Sequence, residues 1–282
     1  MTTFGKTFVE FFKQKSRVTH QVILIQIIVS FIFALFMVFS HGGVFINKDV
    51  QMFGLPIDFY TSFLATSFIT AFIYLLITCA KNENVNRSQT WRLIPLADGN
   101  IYLCNTLSSF LSLIYLNLLQ AIFVGILTGW VSATNQDFRK SINSSINDIM
   151  QAVTEHSDFV TAHLTEALEL IILMLLVGLA IYISVSFLNF SSRSLVDFLP
   201  SISSKFLVNL IRIILIIAIC WLVNRIMGIL NPILRMPFDF VTGSGDYGRI
   251  STVLLIVLAY DLVIGAINMF LISHSFEAEP NK

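Results

Sequence analysis

The residue types able to do chemistry in this chain are few and do not gather. His20, His41, His156, His163 and His274 are scattered, and no H-E-x-x-H pair sets two of them one helical turn apart for a metal. Cys79, Cys104 and Cys220 form no C-x-x-C, which argues against a zinc site or a disulfide framework. Gly243-Ser244-Gly245 offers a serine between glycines, without the G-x-S-x-G spacing of a nucleophile elbow and with no histidine at a matching depth. Gly243-Ser-Gly-Asp-Tyr-Gly248 matches G-x-G-x-x-G, yet a dinucleotide site needs a strand before it and an amphipathic helix after it. A long apolar run follows instead, so the segment reads as a turn before a helix start. No G-x-x-x-x-G-K-[ST] occurs, so the chain carries no P-loop. Catalysis, a metal and a cofactor are therefore not expected within it.

Composition explains why such groups are scarce. Of 282 residues, 56% are hydrophobic, 12% are charged and 26 are phenylalanine, and 17 basic side chains balance 17 acidic ones. A soluble domain carries about 25% charged residues, so this chain cannot cover a water-facing surface. The absence of net positive charge argues against nucleic acid as a partner. The apolar excess excludes disorder. An all-α integral membrane protein remains.

About 20 mainly apolar residues cross a bilayer core of about 30 Å. Six runs qualify: 18–39, 59–80, 101–130, 168–187, 206–227 and 252–273. They are continuous rather than alternating, as spanning helices are and barrel strands are not. With both termini inside, the inner segments hold ten Lys and Arg and the outer segments six, and four of the ten precede the first span. The positive-inside rule then places both termini in the cytoplasm, and the expected location is the plasma (cell) membrane, multi-pass, of a bacterium.

Polar groups within spans are costly unless paired or turned toward a cavity. Arg212 lies about two turns into the fifth span and Asp261 near the middle of the sixth. Two readings stay open: an intramembrane ion pair, or Arg212 reaching the inner headgroups while Asp261 is protonated or bonded to a neighbouring span. Ser62, Thr66 and Thr70 form an i, i+4, i+8 line on the second span, and Asn105, Ser109, Ser112 and Asn117 follow along the third. Such residues either let helices pack closely or line a translocation path.

The segments between spans have characters of their own. In the leader 4–17, Phe4, Phe8, Phe11 and Phe12 share one helical face and Lys6, Glu10, Lys13 and Gln14 the other, as in a helix lying at the membrane surface against lipid. The loop after the second span carries Trp91, Leu93 and Ile94 before a break at Pro95 and a turn at Asp98-Gly99. These side chains need a membrane surface or a partner protein, and Trp and Arg are enriched at interface hot spots. The insert 132–166 is long for a connection, with Phe138, Ile142, Ile146, Ile149 and Val153 at helical spacing. The stretch 228–250 is too apolar for an ordinary loop and too broken by proline to cross, which fits a re-entrant or interfacial segment.

Six spans, an amphipathic leader, an exposed apolar inner loop and a re-entrant stretch before the last span resemble the ABC-2 type permeases, the membrane subunits of one class of ATP-binding-cassette exporters. The most specific likeness is the stretch Thr90 to Ser108, with Pro95 in the place of the family proline, Leu93 and Ile94 as its preceding apolar pair, and Ala97-Asp98 as the turn. The family often has an acidic-basic pair followed by Gly-Thr at the head of this loop; here Glu83 and Arg87 are separated and Ser88-Gln89-Thr90 follows. The resemblance implies one permease domain over 1–282, with an elbow helix at 4–17 and a cytoplasmic coupling helix at 83–96 whose Glu83, Arg87, Trp91, Arg92, Leu93, Ile94 and Pro95 touch a separate ATPase subunit. It implies an extracellular helical insert at 132–166 and a re-entrant segment at 228–250. ATP and magnesium would sit on the partner ATPase, and a second permease subunit, identical or homologous, would complete a path for a hydrophobic or amphipathic substrate such as a peptide, drug or lipid. The competing expectation is a non-transporting immunity or accessory protein that binds a peptide through its outer helical insert.

Overall fold

The computed structural model describes residues 3–42, 54–88, 91, 93–155, 157–197, 210, 213–214, 217, 221, 225 and 247–274. The described chain is helical: α1 (Phe4–Gly42), α2 (Leu55–Arg87), α3 (Asp98–Thr134), α4 (Gln136–Glu155), α5 (Ser157–Asp197) and α6 (Tyr247–His274). Five of these, all but α4, contain a stretch long and apolar enough to cross a membrane. Each encloses one of the runs read from sequence. The run 206–227 lies largely outside the described residues, although its six described positions are helical. The proposed re-entrant segment 228–250 also lies outside them, apart from its last residues in α6.

The leader and the first span are one helix rather than an elbow followed by a span. No proline occurs between Phe4 and Gly42 and no glycine between Lys6 and His41, so nothing interrupts the i→i−4 ladder. Helix α2 begins with Pro56 in its first turn, where a missing N–H costs nothing. A single residue, Asn135, separates α3 from α4, and its side-chain Oδ1 accepts from the Phe138 N–H at 2.9 Å, capping α4.

The helices are inside out compared with those of a soluble protein. On α1 the buried stripe is Thr7, Phe11, Lys15, Thr19, Gln26, Ser30 and Ala34, while Leu24, Ile25, Ile28, Ile32, Phe33 and Phe36 are exposed. On α3, Asn105, Ser108, Ser109, Ser112 and Gln120 are buried while Leu111, Leu118, Ile122 and Ile126 are exposed. In lipid there is no hydrophobic force between helices, so small and hydrogen-bonding residues take the contact faces and large apolar ones meet the acyl chains.

The chain divides into two compact units. One comprises Phe12–Ile77 and Leu111–His163. Its apolar core is Ala34, Phe59, Phe63 and Leu127, with Phe59 edge-on to Phe31, Phe123 and Trp130. Polar rungs cross the same unit. Gln120 Nε2 donates to Gln26 Oε1 at 2.8 Å, Gln26 Nε2 donates to Ser67 Oγ at 2.9 Å, and the Ser30 and Thr66 hydroxyls meet at 2.7 Å. Nearer its other end Thr19 donates to the Tyr74 hydroxyl at 2.8 Å.

The carboxamide rung joins α1, α2 and α3, and each amide depends on the other. Gln26→Ala is expected to destabilise the chain by about 1 kcal/mol, within the range of intramembrane hydrogen bonds, and Gln120→Ala by a similar amount. Thermal unfolding in detergent checks this, and the double variant should lose less than the two single losses together. Strict additivity would show that the rung is not formed.

Candidate functional site: a buried polar cluster beneath the α2–α3 turn

The second unit comprises Met1–Phe11, Thr78–Phe110 and Leu164–Lys282. Within it the polar end of α2 reads Asn82-Glu83-Asn84-Val85-Asn86-Arg87. At 3.6 residues per turn, Asn82 and Asn86 form one stripe, and Glu83 and Arg87 form a second about 100° round. The two stripes meet different helices.

The first meets α3. Asn105 Nδ2 donates to the Asn82 backbone oxygen at 3.1 Å and to Asn86 Oδ1 at 3.2 Å. Ser109 Oγ, one turn on, donates to Asn82 Oδ1 at 2.7 Å. All four side chains are buried.

The second stripe meets α5. Ser186 Oγ donates to Glu83 Oε1 at 2.8 Å, Asn189 Nδ2 donates to Glu83 Oε2, and Asn86 Nδ2 reaches Oε1 at 3.4 Å. Arg87 Nη2 in turn donates to Asn189 Oδ1 at 2.7 Å. Glu83 is only 9% exposed. Three neutral donors and a nearby guanidinium thus surround a carboxylate that apolar helices alone would reject. Further along α5, the Thr78 and Tyr182 hydroxyls meet at 2.6 Å, and Asn268 of α6 donates to Tyr102 Oη at 2.9 Å and to the Ile183 backbone oxygen at 2.8 Å. Gly99, in the first turn of α3, lies close to α6: a Cβ there would come into van der Waals contact with Met269 Cε at 3.4 Å.

The turn between α2 and α3 sits on this base. Trp91 stacks at a tilt on Phe11, with ring centroids 4.7 Å apart. Phe11, Ile101 and Cys104 form a buried cluster against which Phe8, Val85, Trp91, Ile94 and Leu96 pack. The leader's aromatic face therefore lies against the turn of its own chain, and Trp91 and Ile94 have cover without a partner. Leu93 does not: it is 82% exposed.

Glu83 and Arg87, two of the residues expected to touch a separate ATPase subunit, are bonded within the chain to Ser186 and Asn189 of α5. Pro95 is exposed in the turn, and Arg92 lies outside the described residues. Asn105 and Ser109 join the cluster through Asn82 and Asn86. Ser112 is buried, Ser62 and Thr66 bond toward Met37 and Ser30 of α1, and Thr70 is half-buried. Arg212 lies outside the described residues, whereas Asp261 is buried on α6. Sequence reasoning missed Asn82, Asn86, Ser186, Asn189 and Asn268; the i, i+4 asparagines at the end of α2 were the signal that could have found the first two.

Chemically, the cluster holds rather than reacts. Its polar atoms are turned toward one another, and among the described residues no three His, Cys, Asp or Glu side chains come together as metal ligands would. No family model, curated protein or solved structure matches the chain. Removing the hub should show its weight. Glu83→Ala leaves the Ser186, Asn189 and Asn86 donors without their acceptor and is expected to cost about 3 kcal/mol, whereas Leu93→Ala should stay within about 0.5 kcal/mol. Equal unfolding midpoints for the two variants in detergent would refute this account.

Proposed function

We propose that this chain is the membrane permease subunit of an ATP-driven exporter of the ABC-2 class, working with a separate ATPase subunit and a second permease subunit to export a hydrophobic or amphipathic substrate. The observation that carries the reading is Leu93, an apolar side chain 82% exposed at the turn between two rigidly tied helices. A turn anchored by Glu83 and Asn105 below and by the Phe11–Trp91 contact beside it moves only when α2, α3 and α5 move. That is the mechanical requirement for transmitting a push from a partner into the spans. The resemblance at Thr90 to Ser108 supplies the identity of the partner, and the missing P-loop is why ATP and magnesium belong on it. In this reading the turn and both termini are cytoplasmic.

The leader's cover over Trp91 changes how the docking is to be tested. Substituting Trp91 would disturb the chain's own packing, so the informative position is Leu93. A photo-crosslinking residue at position 93, in native membranes, is expected to capture a protein with a G-x-x-x-x-G-K-[ST] motif. Leu93→Asp should weaken that association by about thirtyfold, as for a hot-spot side chain worth about 2 kcal/mol. Capture of lipid alone, or reaction of Leu93→Cys with an impermeant thiol reagent only from outside the cell, would sink the exporter reading.

A second reading rests on α4. Its exposed Ile146 and Met150 lie on the apolar side of an otherwise polar helix anchored by Phe138 against Tyr60. An accessory protein that holds a peptide there, without transport, would crosslink through α4 and not through position 93.

A further inference from the structure

Asp261 lives in surroundings opposite to those of Glu83. It is 4% exposed, and among the described residues neither carboxylate oxygen has a hydrogen-bond partner. It stands fourteen residues after Tyr247 and thirteen before His274, about 20 Å from either end of α6 at 1.5 Å per residue. The helix is long and apolar enough to cross a membrane. Leu262 and Val263 beside it are exposed, so α6 turns its apolar side outward and this carboxyl inward.

The polar groups nearest along the helix are already committed. The Tyr260 hydroxyl meets Ser184 Oγ at 2.8 Å. One turn beyond Asp261, Gly265 brings α6 close to α5, where a Cβ would meet Ile183 Cδ1 at 3.8 Å. Two turns beyond it, Asn268 spends both of its N–H groups on Tyr102 and Ile183. What Asn268 leaves over is Oδ1, another acceptor without a partner, about 10 Å away along the axis. A second copy of the chain or a lipid headgroup cannot serve the Asp261 oxygens, because this chain's own atoms cover them. Among the described residues no donor meets the Asp261 oxygens, and a buried charge without donor or counter-charge is far more costly than the neutral acid, which carries its own proton.

We infer that Asp261 is a proton-binding site within the membrane, a carboxyl held neutral on the inward stripe of α6. Loss of that proton requires water or a counter-charge to reach the stripe, so its occupancy reports whether the stripe stays dry. The assignment does not depend on the exporter reading.

The test uses the full chain in phosphatidylcholine vesicles. Dicyclohexylcarbodiimide partitions into the bilayer and adds to a protonated carboxyl: the carboxyl oxygen bonds to the carbodiimide carbon and the proton passes to its nitrogen. Mass spectrometry is expected to find the adduct on Asp261 and to lose it in Asp261→Asn, while a water-soluble carbodiimide labels the exposed Asp137 instead. A second measurement needs no variant. Infrared spectra of the chain carrying carbon-13-labelled aspartate should contain a protonated C=O stretch that shifts down in D2O. Ionised-aspartate bands alone, as a pair with Arg212 or a hydrated carboxylate would give, overturn the assignment. Labelling of Asp261 by the water-soluble reagent alone does the same.

Discussion

A carboxylate set among apolar helices is tolerable only when donors surround it, and the end of α2 is built around meeting that demand for Glu83. Ser186 and Asn189 from α5 and Asn86 from α2 itself turn their donors onto it. Because two of those donors come from a different helix, the carboxylate is not fully satisfied unless α2 and α5 hold one relative position. The neighbouring stripe imposes the same condition on α3 through Asn105 and Ser109. In a medium where large apolar side chains gain little by touching each other, directional hydrogen bonds and close approach of small residues define which helix faces meet.

That constraint gives the α2–α3 turn its character. A connection between two spanning helices is ordinarily the least restrained part of a membrane protein. Here its base is tied by buried polar groups and its flank by the leader, whose Phe8 and Phe11 pack beneath Trp91 and Ile94. The leader thus has a structural task within the chain as well as any at the lipid surface. Among the described residues of the turn, Leu93 is the most exposed large apolar side chain.

The same rule read in reverse marks Asp261. Glu83 is met on every side; Asp261 is buried to a similar degree and met by nothing among the described residues. Two buried acids in one unit thereby differ in their hydrogen-bond partners: Glu83 accepts from three donors and Asp261 from none among the described residues. Exposure alone would not separate them.

The amino-acid sequence by itself determined the helical class of the molecule and where its helices are long and apolar enough to cross a membrane. Runs of about 20 apolar residues have no stable alternative to a helix in lipid, and five of the six expected spans lie inside described helices. It also marked Asn105 and Ser109 as polar groups at span depth, since such residues stand out against an apolar background. The partners it did not determine. Gln26 and Gln120 are 94 residues apart, and Glu83 and Asn189 are 106, so no local pattern links them. Nor was it legible that the leader covers Trp91. Helix faces are set by periodicity, which a sequence displays, but which face meets which neighbour is set by how whole helices pack, and only the tertiary structure resolves that choice.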